Sequence, residues 1–540
     1  MDTASLIVRV REARASSIPT EWRLSPSQID SNARPIDVVR QTGLLTQAEL
    51  DLTEQNATEI LKKIHSGELT AQVVTEAFLK RAALAHQVVN CLTEFFPDEA
   101  RDTAKAVDDI FQKTGKPVGP LHGLPIAIKG HLTTVGYVSW HDNRAQSDAS
   151  LVKVMKDAGA IIFAKTAMPQ TGMALETNSN LWGRTFNTYS TKFGSGGSSG
   201  GDGALVGLRG AAVAPLASDI GGSIRAPAAF NGLYALRPTS ERVPRKGLRS
   251  TVSGQISIKT SCGPVTHSMP DLKLLANLIL THPTLPFEGS CLPGSWREVE
   301  TPLRKLKIGF MLSDGVVQPH PPITRALKET VTKLKAAGHT AVVEFKLPFD
   351  AWEASLTTFA LYWQTGAAEA KASIAATGEV PISPYARNLE IYDTRALSTQ
   401  KLYALNTKQM NYKWAFANAW QDAAAEGGSE SPFDAILCPV SPMASIPHDF
   451  PVYWGYTSLW NLLDYPSVIM PVEDLKIDPI KDKKDPGYQA RDNPFDKDNW
   501  EIYDPNMWKG QPVALQVVGR PYKDEELIAV CEALDQIVNK

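Results

Sequence analysis

A ten-residue segment, GSGGSSGGDG at positions 194–203, contains six glycines and constrains the fold more than any other stretch of this sequence. Glycine loses more backbone freedom on folding than any other residue, so such a cluster needs a reason. A flexible linker, a phosphate-binding loop, a nucleophile elbow or a tightly bent catalytic loop would each supply one. A linker should separate compact units, but this segment runs directly into ALVGLRGAAVAPLA (204–217), whose small and apolar residues suit a close-packed helix. The linker interpretation is therefore disfavoured.

The spacing also argues against a phosphate-binding loop. A Walker motif requires a lysine directly after its last glycine, and Asp202 and Gly203 stand where that Gly-Lys pair should be. A GxGxxG fingerprint would require a glycine at position 199, which is Ser199. The Asp202 carboxylate beside the glycines would in addition repel a phosphate group.

A nucleophile elbow is harder to dismiss, because residues 196–200 match GxSxG with Ser198 as the nucleophile. Asp434 and His448 follow in the order that α/β-hydrolases use. The preceding NTYSTKF (187–193) is a poor buried strand, whereas an elbow follows a strong one. This hydrolase-like alternative, with esterase activity, stays open on the sequence alone.

The remaining interpretation is a catalytic loop, and two further features favour it. A second Gly/Ser cluster, DIGGSIR, lies at 219–225, and successive N–H groups in such a turn form a concavity for negative charge. Lys129 ends the apolar run LPIAI (124–128), which predicts a buried strand. A lysine in that position, facing a Gly/Ser pocket, is a candidate base with a lowered pKa.

Alternating strand and helix patterns predict an α/β fold with a parallel or mixed sheet covered by helices. The first such unit is a strand in PVGPLHGLPIAIK, a helix in DASLVKVMKDAGA and a strand in IIFAK. The first hundred residues are predicted to be helical, and the charged, proline-rich stretch 475–508 to be a surface excursion. We expect one large domain over 1–540, with helical additions at about 1–115, a core at 116–300 and the rest of the sheet at 301–540.

The composition excludes several classes of function. Charged residues make up 21% of the chain and the formal net charge is −3, so nothing favours binding of nucleic acid or an anionic membrane. No apolar run approaches the roughly 20 residues of a membrane span, and the N-terminus lacks the apolar core of a secretory signal. The five cysteines are scattered without a CxxC pair, so no metal site is predicted. We expect a cytoplasmic protein.

Three motifs together resemble the amidase signature family. They are Lys129 after GLPIAI, GGSSGG at 196–201, and DIGGSIRAPA at 219–228 followed by GLYALRPT. The segments EWRL, DAILCPVSP and SLWNLLDYPSVIMPV are most similar to its fungal acetamidase-like branch. The resemblance implies a mixed β-sheet sandwiched between helices, and hydrolysis of a small-molecule carboxylic amide without cofactor or metal.

The resemblance also implies a Lys–Ser–Ser triad and an acyl-enzyme. Ser223 would be the nucleophile, Ser198 the bridging serine after a cis peptide bond, and Lys129 the neutral base. The oxyanion hole would consist of backbone N–H groups, those of Ile220, Gly221, Gly222 and Ser223.

Other residues receive supporting or binding roles by the same resemblance. Supporting contacts to the catalytic loops are expected from Ser218, Asp219 and Arg225. The sequence departs from the family pattern in two places. The acidic residue that often follows the lysine is Gly130 here, followed by His131, and the usual Gly-Thr-Asp before the second cluster is Ala217-Ser218-Asp219, which keeps the hydroxyl. The candidates for contacting the substrate are His131, Met173, Tyr137, Trp140 and Trp460.

An alternative of a different class is the amidotransferase subunit, a glutaminase that passes ammonia to a partner protein on tRNA. The net negative charge, which does not favour a tRNA-binding surface, and the acetamidase-like segments argue against this alternative. A homodimer is left open, and the motifs do not identify which amide is cleaved, whether aliphatic, aryl or a specialised metabolite.

Overall fold

Two β-sheets, of three and eight strands, organise the chain. The computed structural model describes residues 3–29, 33–131, 145–281, 288–292, 294–302, 305–338, 341–426 and 432–539. Its strands are β1 (Leu92–Phe95), β2 (Pro125–Lys129), β3 (Ile161–Thr166), β4 (Asn178–Ser179), β5 (Gly183–Arg184), β6 (Phe193–Gly194), β7 (Ala214–Asp219), β8 (Tyr234–Arg237), β9 (Ser261–Thr266), β10 (Lys307–Phe310), β11 (Ala341–Glu344), β12 (Ala435–Pro439), β13 (Ile446–Pro447), β14 (Ser467–Pro471) and β15 (Ala514–Val518).

Eighteen helices accompany these strands in the described ranges. They are α1 (Thr3–Ser16), α2 (Pro35–Gln41), α3 (Gln47–Thr53), α4 (Ala57–His65), α5 (Ala71–Val89), α6 (Pro97–Thr114), α7 (Ser150–Asp157), α8 (Gly200–Gly207), α9 (Arg225–Phe230), α10 (Met269–Thr281), α11 (Pro321–Ala336), α12 (Ala351–Tyr362), α13 (Ala368–Thr377), α14 (Ser383–Ile391), α15 (Thr399–Glu426), α16 (Gly455–Leu463), α17 (Asp496–Ile502) and α18 (Asp524–Val538). None of these is both long enough and apolar enough to span a membrane.

The predicted N-terminal helices end where the sequence signals place them. Thr70 caps α5 by accepting a hydrogen bond from the Val73 amide. Gly115 ends α6 with a φ of 65°, a left-handed conformation that glycine adopts without steric cost. The prediction of an all-helical start is nevertheless wrong in one place, because β1 lies between α5 and α6.

The small sheet contains the predicted strand–helix–strand unit. Its order is β1-β3-β2, with β2 parallel to β3 and β1 antiparallel to it. Lys129, the last residue of β2, lies opposite Thr166, the last residue of β3. The parallel pairing therefore brings the candidate base to the edge where both strands end.

The large sheet has the order β11-β10-β12-β15-β14-β8-β9-β7. It is mixed: β10 pairs in parallel with β11 and β12, and the remaining pairs are antiparallel. One face packs against α10, α11 and α18, and the other against α9, α15 and α16. This arrangement confirms the predicted α/β class with a mixed sheet between helices.

Two predicted segments differ from the structure. The apolar run 204–217 does not form one helix: α8 ends at Gly207 and β7 begins at Ala214. Small apolar residues fit a buried helix and a buried strand equally well, so composition alone could not separate the two. The stretch 475–508 is more than a surface excursion, because it contains α17 and buries Trp508, whose indole donates to the Ser445 carbonyl at 3.0 Å.

Candidate active site

The Gly/Ser segment 194–203 is held against the backbone of a neighbouring loop. Gly196 has a φ of +83°, and the peptide bond between Gly197 and Ser198 is cis, as expected. A Cβ atom on Gly197 would lie 2.5 Å from the Ala174 carbonyl oxygen, which leaves room only for glycine. The last four residues of the segment begin α8. The segment is therefore a closely packed turn that leads from β6 into a buried helix.

Lys129 is completely buried and faces this turn. Its Nζ donates hydrogen bonds to Ser198 Oγ at 2.8 Å and to Ser218 Oγ at 3.1 Å. Burial lowers the pKa of Lys129 to about 8 and outweighs the opposite effect of the nearby Asp202, Cys262 and Asp219, which raise it. A sizeable fraction of neutral amine near pH 7–8 is what a proton acceptor for a hydroxyl group requires.

Asp202 is the carboxylate with the strongest influence on that lysine. It is fully buried in the first turn of α8, and its Oδ1 accepts a hydrogen bond of 2.9 Å from Thr166 Oγ1. Burial raises the pKa of Asp202 to about 6, while Lys129 lowers it. From the sequence, Asp202 is expected only to repel a phosphate group, and its location beside Lys129 is not predicted. The register partner of Thr166 is Lys129, but that pairing is not visible in the sequence.

Ser223 lies in the second cluster, between the end of β7 and the start of α9. The Ser199 amide donates to the Ser223 carbonyl at 3.1 Å, which ties the two Gly/Ser loops together. Ser198 and Ser223 retain 4% and 5% of their accessible surface, and both line the same small pocket together with Lys129. The structure thus brings the three predicted catalytic residues to one site.

A buried ion pair supports the loop that carries Ser223. Arg225 donates to both carboxylate oxygens of Asp219 at 2.9 and 3.0 Å, and both side chains are fully buried. Arg225 also binds Asn461 Oδ1 and Gln516 Oε1. Burial alone would raise the pKa of Asp219, but the Arg225 guanidinium holds it well below its usual range. The expected supporting role of this pair agrees with these contacts.

One of the four amides expected in the oxyanion hole already has an acceptor. The Gly222 amide donates to Asp219 Oδ1 at 2.9 Å, so it is already engaged. The amides of Ile220, Gly221 and Ser223 have no acceptor within the part of the chain that the structure describes. Those three N–H groups are the free donors of this turn.

His131, Met173 and Ser218 all line the pocket. His131 Nε2 lies 2.9 Å from Ser218 Oγ, so the histidine joins the lysine through a shared hydroxyl. Burial, Lys129 and Lys165 lower the pKa of His131 well below its usual value, which keeps the ring neutral. A Cβ on Gly130 would lie 2.9 Å from the Thr166 carbonyl oxygen, which explains a glycine after the lysine.

Several sequence candidates lie elsewhere. Trp460 is fully buried against Phe416, with ring centroids 5.6 Å apart, and does not line the pocket. Tyr137 and Trp140 lie outside the described residues. The partners of a Ser198-centred hydrolase triad are engaged in other contacts. Asp434 accepts from the Lys307 amide, and His448 contacts Glu176 Oε1 and the Thr191 carbonyl. These contacts argue against the elbow alternative.

Comparison with known proteins agrees with this geometry. The Amidase family profile matches residues 73–528. The chain is 46% identical over 529 residues to amidase FG08078 of Gibberella zeae, covering 97% of this chain and 96% of that protein. It is 38% identical to an acetamidase of Emericella nidulans, covering 98% of this chain and 97% of that one.

A solved structure named fatty acid amide hydrolase superposes with a TM-score of 0.92 at 32% identity, over 99% of this chain and 95% of that one. The family profile covers most of the chain, and the likeness to this structure extends over nearly all of it. This chain therefore belongs to the amidase family and is an amide hydrolase.

Proposed function

We propose that this protein cleaves a carboxylic amide through an acyl-enzyme on Ser223, with Ser198 and Lys129 as the proton relay. The observation that carries the proposal is the 2.8 Å hydrogen bond from Lys129 Nζ to Ser198 Oγ, in the pocket that Ser223 also lines. A serine hydroxyl is a weak nucleophile and needs a base that takes its proton during attack.

The relay uses the hydroxyl of Ser198 as donor and acceptor at once. When Ser223 Oγ attacks the amide carbon, its proton passes to Ser198 Oγ, and the Ser198 proton passes to Lys129 Nζ. The amide C–N bond then breaks, and the same protons return in reverse order to the leaving nitrogen. Water attacks the resulting ester and regenerates Ser223 and the carboxylate product.

The negative charge on the carbonyl oxygen needs donors that are fixed before the reaction. The amides of Ile220, Gly221 and Ser223 fit this role, since they are the free donors of the turn. Each oxyanion donor typically stabilises the transition state by about 2.7–4 kcal/mol. The Asp219–Arg225 pair holds the turn, because Asp219 accepts the Gly222 and Ile224 amides.

The test of this proposal is the site of a covalent adduct. We expect a fluorophosphonate to add one equivalent to the wild-type chain and none to Ser223→Ala, as measured by intact mass and peptide mapping. Ser195→Ala changes a buried serine of the Gly/Ser segment whose hydroxyl donates to the Thr185 carbonyl; it is the control and should label normally. Absence of an adduct on the wild type, or an adduct on Ser198, would contradict the proposed roles.

The proposed base predicts a pH dependence of kcat/KM. Neutral Lys129 is the active form, so kcat/KM should rise with pH and level off above an apparent pKa of about 8. Asp202→Asn removes a negative charge that favours the ammonium form. The acid limb of this variant should therefore move to lower pH.

The control for this prediction is Asp109→Asn on α6, which removes an exposed carboxylate paired with Lys105 and should leave the limb in place. An Asp202→Asn profile that coincides with the wild type, or moves to higher pH, would refute the sign of this coupling.

A further inference from the structure

Arg249 lies on the wall of the pocket that contains Ser223. Its side chain is exposed, and it forms no hydrogen bond or ion pair within the described part of the chain. Its guanidinium is nevertheless close enough to act on the buried Lys165: burial is the main cause that lowers the pKa of Lys165 to about 8, Glu94 raises it, and Arg249 lowers it. Arg249 is therefore a cation at the rim whose guanidinium forms no ion pair with any carboxylate in the described ranges.

The backbone around Arg249 is fixed to the active site. The Arg249 amide donates to the His131 carbonyl at 3.2 Å, and His131 binds Ser218, a partner of Lys129. Two residues later, Thr251 Oγ1 donates to the Thr171 carbonyl at 2.9 Å. The guanidinium thus extends from a segment whose position relative to Lys129 is set by hydrogen bonds.

The rest of the pocket wall contains no negative charge that would oppose Arg249, among the described residues. Beside the catalytic groups it consists of apolar and uncharged residues, and no carboxylate lines it among the described residues. Apolar side chains come from Met168, Met173, Ile220 and Leu248. A ligand in this pocket therefore meets apolar surface near Ser223 and, at the rim, a positive charge that no described carboxylate pairs with.

We propose that Arg249 selects amides that carry a carboxylate, which its guanidinium binds while Ser223 attacks the amide carbon. A guanidinium matches a carboxylate with two parallel hydrogen bonds, and the pairing strengthens as the substrate excludes water from the pocket. The inference rests on the proposed amide hydrolysis and specifies its substrate class. The carboxylate is carried by the acyl part or by the amine part, and the substrates below separate these two cases.

The test compares two substrate pairs in which the terminal carboxylate of one member is a methyl group in the other. Succinamate against butyramide places the carboxylate on the acyl side, and N-acetylglycine against N-ethylacetamide places it on the amine side. We expect the wild type to have a higher kcat/KM for the anionic member of one pair. Arg249→Gln should raise KM for that substrate by about tenfold or more, the scale of a lost hydrogen bond between charged groups, and leave the neutral member within about twofold.

Two further variants separate charge recognition from structural damage. Arg249→Lys should recover part of the preference, because it keeps the charge and loses the paired geometry. Lys246→Gln, a neighbouring exposed cation outside the pocket wall, should change neither member of a pair. A wild-type preference for the neutral member of both pairs would overturn the inference, as would an equal loss on both members in Arg249→Gln. Failure of the proposed function differs from either result, because the wild type would then hydrolyse none of the four amides.

Discussion

Replacement of Ser223 by alanine is expected to reduce kcat for amide hydrolysis by about 10⁴- to 10⁶-fold, the range seen when one member of a serine hydrolase triad is removed. In the proposed mechanism, the alanine variant has no atom that can form the acyl-enzyme, and Lys129 and Ser198 have no proton to accept. The measurement is the rate of ammonia or amine release at saturating amide, with circular dichroism to show that the variant is folded.

Comparison with Ser198→Ala makes this result specific. That variant retains the proposed nucleophile and loses the proposed relay, so we expect a large loss of kcat with an adduct still forming slowly on Ser223. Ser195→Ala should have a kcat close to that of the wild type, since its hydroxyl donates one long hydrogen bond of 3.5 Å, to the Thr185 carbonyl, among the described residues. A Ser223→Ala variant with more than about one per cent of wild-type kcat would be incompatible with triad chemistry at this residue.

The second large effect is on stability. Arg225→Met is expected to lower the free energy of unfolding by about 3–5 kcal/mol, because it leaves the fully buried Asp219 carboxylate without its counter-charge. The variant retains most of the side-chain volume, so loss of packing contributes little. Chemical denaturation followed by tryptophan fluorescence measures the change.

A surface pair of the same geometry provides the control. Arg395 binds both oxygens of Asp393 at 2.9 and 2.8 Å, but Arg395 is 85% exposed. Arg395→Met should leave the unfolding midpoint nearly unchanged, since exposed ion pairs contribute little. Equal effects of the two substitutions would mean that burial of the Asp219–Arg225 pair does not govern its contribution.

Much of this site was predictable because its signals are local. Gly196 and Gly197 indicate that the backbone lies too close to its neighbours to leave room for a side chain. Lys129 is the last residue of a buried strand that its apolar sequence predicts. Caps such as Thr70 and Gly115 fix helix ends through hydrogen bonds within one turn. In each case the residue and its cause lie within a few positions of one another.

The remaining features depend on pairings between distant segments. Asp202 lies beside Lys129 only because β2 and β3 are parallel and in register at Thr166. The four residues of β1 are too few to show an alternating pattern, so their pairing with β3 could not be read from the sequence. The engagement of the Gly222 amide by Asp219 likewise depends on the turn geometry, which the glycines permit but do not determine.

The position of β15 has a consequence for synthesis of the enzyme. This strand lies between β12 and β14 in the large sheet, and its Gln516 binds Arg225 from 291 positions further along the chain. At about 5–20 residues per second, a ribosome needs roughly 15–60 seconds to make that interval. During this time the nascent chain already contains both serines and the lysine, but Arg225, which holds the Ser223 loop through Asp219, lacks its contact with Gln516. The polypeptide is therefore expected to stay inactive through most of its translation and to become a hydrolase only when its final strand is inserted.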